Sequence, residues 1–406
     1  METIGRSQSK KRLVICCDGT WNRPDSKYVT NIEKIARTVQ TDVTKAEGVQ
    51  QLVLYLSGVG AGSYMMDRLL GGAFGMGLFA NIRSAYRFLA LNYEPGDEIY
   101  VFGFSRGAYT ARSLVGMLAR AGLLTRAALI ADKLPDAIAR YQTRTRDAKR
   151  FGSSNQDFRR DHCHSALKIQ FLGVFDTVGA LGVPGPSRRR YEFHDVKLSD
   201  LVVCARQALA IDERRMTFEP CLWESDDGCP PDDPRVKQVW FEGVHSDIGG
   251  GYAECGLSDT ALLWMVRQAH EQGLVFDSDL LAMYLARKSP AVRHQSMRPA
   301  YRLLNVIHVV RGTLRRHRNK HFLGTFRNLA EPECVGTRIA ASAVTRHLGD
   351  GYGPRNLVDY KRTSNNFDGV IEDVVALPHA ITEAVIAELA AVGGDPPRSH
   401  VDLELR

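Results

Sequence analysis

Five short runs of nearly continuous apolar residues mark the first 245 positions of the chain. They are "RLVICCDGT", with its strand from Arg12 to about Cys17; "QLVLYLSGVG", with its core from Leu52 to Leu56; "DEIYVFGFS"; "LKIQFLGVFDT"; and "VKQVWFEGVH". Each is rich in Val, Ile, Leu and aromatics and ends at a Gly or Asp turn, which predicts strands. Unbroken apolar character, rather than strict alternation, predicts a sheet covered on both faces. A helical period fills the gaps. Thr30 is placed to cap "NIEKIARTV", with Glu33 where a capping box wants it. "LFANIRSAYRFLALNY" runs up to Pro95, whose ring stops a helix. After Ser105, one broad face collects Ala108, Ala111, Leu114, Val115 and Leu118. "SDLVVCARQALAID" and "SDTALLWMVRQAHEQG" each follow a Ser-Asp pair suited to a helix start, and both are expected to be helical. Alternating strands and helices predict an α/β, doubly wound, mostly parallel sheet.

The organisation beyond this is coarser. Residues 1–275 are expected to form the catalytic core. The polar, helix-leaning stretch 125–165 is a candidate cap or lateral insertion. Residues 276–406 are expected to form a helical or mixed part packed on the core, since "LVFDSDLLAMYLARK" and "DGVIEDVVALPHAITEAVIAELAAVGG" both look helical. "PCLWESDDGCPPDDP" reads as a loop.

Composition narrows the class. With 406 residues, 44% of them apolar and 24% charged, the chain reads as a large globular protein. The net charge of +7 raises the question of nucleic acid, but the positives lie in separate local runs such as "RTRDAKR", "SRRRYEF" and "RGTLRRHRNKH". The "RRHRNK" run has little aromatic interleaving and the chain has no recognition motif, so specific nucleic-acid binding is not expected and a solvated or lipid-facing surface is. The start "METIGRSQSKKR" is polar and no run reaches the length of a membrane span, so a cytoplasmic protein is expected, with export lacking a cleaved signal left open. Eight cysteines show no disulfide framework. Cys221 with Cys229, and His162–Cys163–His164, have no second ligand pair at useful spacing, so no zinc is expected.

The chemistry centres on "VFGFSRGAYTAR". A strand that ends in Gly-x-Ser-x-Gly and enters a helix is a nucleophile elbow. Here Gly103 and Gly107 flank Ser105 and let strand and helix approach closely. The N–H of Arg106, at the helix start, is placed to meet a developing oxyanion. A serine needs a base, and the base an orienting acid, following in the order Ser, Asp, His at strand ends. Asp176 in "FLGVFDTVG" and His245 in "VWFEGVHSDIGGGY" meet both conditions. Asp247, two residues from His245, is the rival acid; it is better suited to cap a turn or help hold substrate. His162, His164, His308 and His347 are weaker rivals to His245.

"CCDGTWN" puts Asp18 after the first strand. A haloacid-dehalogenase-type phosphatase would want a second aspartate two residues on, but residue 20 is Thr. The better expectation is that Gly19 or Thr20 supplies a second oxyanion N–H, with Asp18 bracing the loop. The Gly-rich stretch after Ser57 lacks Gly-Lys-Ser or Gly-Lys-Thr and is no phosphate loop. Its Gly71–Phe79 portion is read either as a lip for an apolar chain or as a tight helix entry.

Taken together, "LVICCDGTWN", "TNIEKIAR", "VFGFSRGAYTAR", "FLGVFDTVG" and "VWFEGVHSDIGGGY" resemble the signature blocks of a bacterial and fungal family of α/β hydrolases that includes the catalytic domain of some type VI secretion phospholipase effectors. The likeness spans about residues 11–275, with a weaker echo at "YGPRNL". It implies an α/β-hydrolase-like sheet with helical insertions, Ser105 as nucleophile, Asp176 as acid and His245 as base. It also implies a site bordered by Asp18 and its loop, and hydrolysis of carboxylic esters, phospholipid esters among them. No metal or organic cofactor is expected. The expected partner is a small-molecule or lipid ester, with peripheral lipid contact and self-association both compatible with the sequence. The competing expectations are a short-chain esterase inactive on lipids, and a non-catalytic interaction module on a hydrolase scaffold.

Overall fold

A computed structural model describes residues 10–20, 27–58, 71–142, 152–179, 197–225, 230–285, 289–297, 326–329 and 334–374, with the backbone alone for 71–76 and 152–154. Its centre is an eight-stranded, all-parallel sheet. The strands are β1 (Lys11–Cys17), β2 (Gln50–Leu56), β3 (Glu98–Phe104), β4 (Ile169–Phe175), β5 (Ala205–Ala210), β6 (Val236–Phe241), β7 (Thr337–Ala340) and β8 (Ile371–Glu372), in the order β2-β1-β3-β4-β5-β6-β7-β8. All five expected strands are present.

The helices are α1 (Asn31–Thr38), α2 (Gly71–Asn92), α3 (Arg106–Ala121), α4 (Arg126–Ile130), α5 (Leu134–Gln142), α6 (Gly152–His162), α7 (His245–Gly249), α8 (Gly256–Glu271), α9 (Ser278–Leu285), α10 (Ala341–Gly349) and α11 (Arg355–Thr363). Two apolar layers sandwich the sheet. Within β1, Val14 and Cys16 face a cluster with Ile32 and Ile35 of α1 and with Leu262 and Met265 of α8. Leu13, Ile15 and Cys17 face the opposite cluster, with Ile82 and Leu89 of α2 and Leu114 and Leu118 of α3. Side chains alternate between faces and both faces are buried, hence the unbroken apolar runs.

Local signals behave as expected at α1, where the Thr30 side chain accepts the Glu33 N–H. Residues 71–79 lie in α2, a helix entry, although the side chains of 71–76 fall outside the described residues. Helices α4, α5 and α6 occupy the 125–165 stretch, and Ala128, Leu134, Ala137, Tyr141 and Phe158 pack into the same layer as α2 and α3.

Two helical expectations fail. "SDLVVCARQALAID" is not a helix: residues Ala205–Ala210 form β5, buried at every position. Alanine and glutamine favour helix in isolation, but here the segment sits between β4 and β6 and its polar groups are satisfied inside the sheet. Gln207 accepts from the Thr177 hydroxyl (2.5 Å) and donates to the Cys221 carbonyl (3.0 Å) and to Gln238 Oε1 (2.9 Å). The C-terminal part also adds β7, which has no clear sequence signal, and β8, whose Ile371–Glu372 lies at the start of "DGVIEDVVALPHAITEAVIAELAAVGG" and is strand where a helix is expected. The Ala-rich stretch after Val374, the "RRHRNK" run, Cys229 and His308 lie outside the described residues.

Candidate active site

Register brings the strand ends together. Phe104 of β3 pairs with Phe175 of β4, so Ser105 and Asp176, each one residue further, stand at the same height. Ser105 N–H donates to the Phe175 carbonyl (3.0 Å), and Asp176 N–H to the Ala208 carbonyl of β5 (2.7 Å). Ala210 pairs with Phe241, and His245 follows four residues on, at the start of α7. The chain reverses direction across the sheet between β1 and β3. Strand ends at such a switch point form a natural crevice. Asp18 ends β1 and Ser105 ends β3 in that crevice.

Ser105 sits at φ 57°, ψ −121°, and Asp176 at φ 40°. Left-handed backbone at non-glycine residues costs on the order of 1–3 kcal/mol each. The turn around Ser105 is possible because its flanking glycines lack side chains. A Cβ on Gly103 would lie 2.5 Å from Ala108 Cα, and one on Gly107 only 2.2 Å from the Cys17 carbonyl oxygen. The Gly107 contact also shows how closely the loop after β1 approaches the head of α3.

His245 links the other two residues. Ser105 Oγ lies 2.8 Å from its Nε2, and Asp176 Oδ2 lies 2.6 Å from its Nδ1. An ionised Asp176 only accepts, so Nδ1 carries the proton and Nε2 is left as acceptor for the serine hydroxyl. All three are buried, with Asp176 at 0% exposure. The imidazole is held between Phe104 (4.7 Å, tilted) and Phe218 (4.8 Å, edge-on). Phe104 can lie there because Gly249 has no Cβ, which would come 2.0 Å from its ring. Burial lowers the His245 pKa, and the hydrogen bond and charge of Asp176 oppose this without reversing it. The ring is therefore neutral near pH 7. Burial pushes the Asp176 carboxyl up, but the Arg327 charge and the His245 hydrogen bond outweigh it and hold the group well below the usual carboxylate range.

Asp247 does not take part in this chain. Its Oδ2 accepts the Val244 N–H (2.9 Å), which caps α7, and the His294 N–H (3.1 Å); its Oδ1 meets His294 Nδ1 at 2.6 Å. Of the rival histidines, His164 packs edge-on against Tyr93 and His347 bonds the Tyr352 carbonyl (2.5 Å).

Asp18 is a bracing residue. Its Oδ2 accepts from the Thr30 (2.6 Å) and Tyr55 (2.7 Å) hydroxyls, and its Oδ1 from the Gly19 N–H (2.6 Å). The Gly19 amide is thus engaged inward. The Thr20 hydroxyl is buried and meets no hydrogen-bond partner among the described residues.

Two groups escape any reading of the sequence. Arg327 binds Asp176 through both terminal nitrogens, Nη1 to Oδ1 at 2.5 Å and Nη2 to Oδ2 at 3.0 Å. Glu213 accepts the His245 N–H (3.3 Å) and is itself held by Arg215 N–H (2.8 Å) and Nε (2.9 Å). Arg327 is separated from Asp176 by 151 residues, and no local pattern reveals the pair. Glu213 lies just past β5, the strand whose composition reads as helix.

A yeast protein, "Uncharacterized protein YEL023C" of Saccharomyces cerevisiae, is 30% identical over 230 residues, covering 52% of this chain and 33% of its own length. This chain therefore spans about a third of that relative. A solved structure described as the Tle1 effector bound to the VgrG spike from the type 6 secretion system shares 22% identity at a TM-score of 0.34, covering 61% of this chain and 52% of that one. An uncharacterized protein from Pseudomonas aeruginosa shares 16% identity at a TM-score of 0.37, covering 98% and 64%. Residues 11–268, well over half of the chain and including Ser105, Asp176 and His245, match the family described as "T6SS, Phospholipase effector Tle1-like, catalytic domain", and the chain belongs to that family.

Proposed function

We propose that the protein is a serine hydrolase of carboxylic esters, with Ser105 as nucleophile, His245 as base and Asp176 as the acid that orients it. The observation that carries this reading is the continuous contact from Ser105 Oγ to His245 Nε2 (2.8 Å) and from His245 Nδ1 to Asp176 Oδ2 (2.6 Å), mounted on a left-handed elbow. Membership of a phospholipase-effector catalytic family supports a hydrolase type of activity independently.

In this mechanism neutral His245 takes the Ser105 proton as Oγ attacks the acyl carbonyl. The imidazolium that forms is stabilised by the buried Asp176 carboxylate. The oxyanion is met by the Arg106 N–H at the head of α3 and by a donor of the loop after β1. With the Gly19 N–H turned to Asp18, Thr20 is the favoured second donor. His245 then protonates the leaving alcohol, and a water that it activates releases the acyl group from Ser105.

The favoured substrate is an acyl ester with an apolar chain, and phospholipids are the first class to test. The family description, a phospholipase effector of a type VI secretion system, supports this choice. Turnover of chromogenic esters of increasing acyl length, and then of phospholipid vesicles, is the test, with Ser105→Ala as blank. Activity that persists at long chains and on vesicles is expected. Rates that vanish above about eight carbons, beyond which only a long apolar channel accommodates the chain, would leave an esterase and remove the lipid assignment.

A further inference from the structure

We infer that Arg327 is a positioning residue for the reaction, supplied by a part of the chain beyond the family-matched region, and that it fixes the acid of the triad through a two-pronged ion pair. This rests on the Ser105–His245–Asp176 reading above.

The geometry is specific. Asp176 is wholly buried, and both of its oxygens are shared. Oδ2 accepts hydrogen bonds from His245 Nδ1–H and Arg327 Nη2; Oδ1 accepts from the Ala210 N–H (3.0 Å) and Arg327 Nη1. A planar guanidinium matched to a planar carboxylate fixes the latter's rotation as well as its place. Arg327 is anchored in turn, Nη1 to the Ala210 carbonyl (2.9 Å) and Nη2 to the Phe218 carbonyl (2.6 Å). The Phe218 ring rests on His245. One guanidinium therefore ties the acid, the end of β5 and the aromatic wall of the base into one unit. Arg327 is itself buried, at 7% exposure, so it acts through Asp176.

The pairing has an electrostatic consequence. A carboxylate in this dry position would tend to take up a proton, and the adjacent cation opposes that. The same cation reduces the pull of Asp176 on the imidazolium. The charged groups facing the pair are Arg327 on Asp176, and Arg215 and Glu213 on His245. Removing Arg327 removes positive charge, so the Asp176–His245 pair should bind its proton at higher pH.

The test is ester hydrolysis against pH by the full chain and by Arg327→Met, Arg327→Lys and Arg327→Ala, with fluorophosphonate labelling of Ser105 in each. For Arg327→Met, kcat should fall on the order of ten- to a hundredfold, as misplacement of a catalytic group does. KM should be little changed, and the acid limb of kcat/KM should move to higher pH. Guanidinium added to Arg327→Ala should restore part of the rate. Arg327→Lys, which keeps the charge and loses the fork, should lower kcat with the acid limb in place, and it serves if the neutral variants do not fold. Wild-type kcat in Arg327→Lys or Arg327→Met overturns the inference. So does a rate loss in folded Arg327→Met with an unmoved acid limb and no guanidinium rescue, which would mark a scaffold role only. Wild-type protein that never labels at Ser105 removes the triad reading, and this inference with it.

Discussion

At the scale of single residues, the site depends on two carefully set protonation states. His245 is neutral near pH 7 because burial disfavours its charged form more than Asp176 favours it. Ester hydrolysis should therefore persist below the usual imidazole range. The acid limb of kcat/KM should fall below pH 6.5, the ordinary value for histidine; an inflection above it would contradict this account of the ring. Asp176 is shifted in the same direction as His245, with a consequence for stability. Its folded pKa lies below the ordinary 3.8, so its contribution is complete above that value and is lost as pH falls through the lower, folded one. His245→Ala should reduce kcat by on the order of 10⁶-fold and Asp176→Asn by on the order of 10⁴-fold, with the fold retained by circular dichroism. Asp247→Asn, which changes the cap of α7 and not the proton path, should cost far less; an equal loss would move the acid's role to Asp247.

At the scale of elements, the elbow and the β5–β6 pair are the sensitive joints. A Gly107→Ala side chain would meet the Cys17 carbonyl oxygen at 2.2 Å and that of Asp18 at 2.4 Å, backbone atoms that cannot swing aside as a side chain can. A loss of about 3 kcal/mol is expected for such overpacking, measured by urea denaturation; a loss below about 0.5 kcal/mol, the range of an indifferent surface change, would contradict the close approach. Gln238 is comparable, since Oε1 accepts the Trp223 N–H (2.9 Å) and Nε2 donates to the Trp223 (3.0 Å) and Val335 (2.8 Å) carbonyls. Gln238→Leu strands these buried groups and should also cost about 3 kcal/mol.

The same elements show what a sequence discloses. Strands β1 to β4 and β6 are legible because both faces are apolar, and the elbow is legible because its glycines answer a local steric need. Ser105, Asp176 and His245 each sit at the end of such a strand, so their meeting follows from order and topology. β5 is hidden because "ARQALA" has helix-favouring residues, and its strand state is imposed by neighbours far away in sequence. Glu213 is hidden with it. Arg327 carries no local sign at all, because its role exists only once the chain has returned to Asp176.

At the scale of the whole molecule, the sheet does not end where the family match ends. β7 pairs with β6 through Gln238–Trp240, and Arg327 reaches the triad from the same C-terminal part. The proposed catalytic unit is therefore larger than residues 1–275. A chain cut after residue 275 would expose the β6 edge and leave the buried Asp176 without its cation. It is expected to be poorly soluble and inactive on chromogenic esters; a soluble fragment with wild-type kcat would show that the C-terminal strands are dispensable.

The central claim is that Ser105 is a nucleophile activated by His245. Reaction of the folded protein with a fluorophosphonate probe, followed by peptide mass spectrometry, tests it most directly. A single adduct on Ser105 is expected, formed faster as His245 loses its proton and abolished in Ser105→Ala and His245→Ala. Folded wild-type protein that forms no adduct across pH 5 to 9, the span over which an imidazole base gains and loses its proton, or that carries the adduct at another residue, would contradict it.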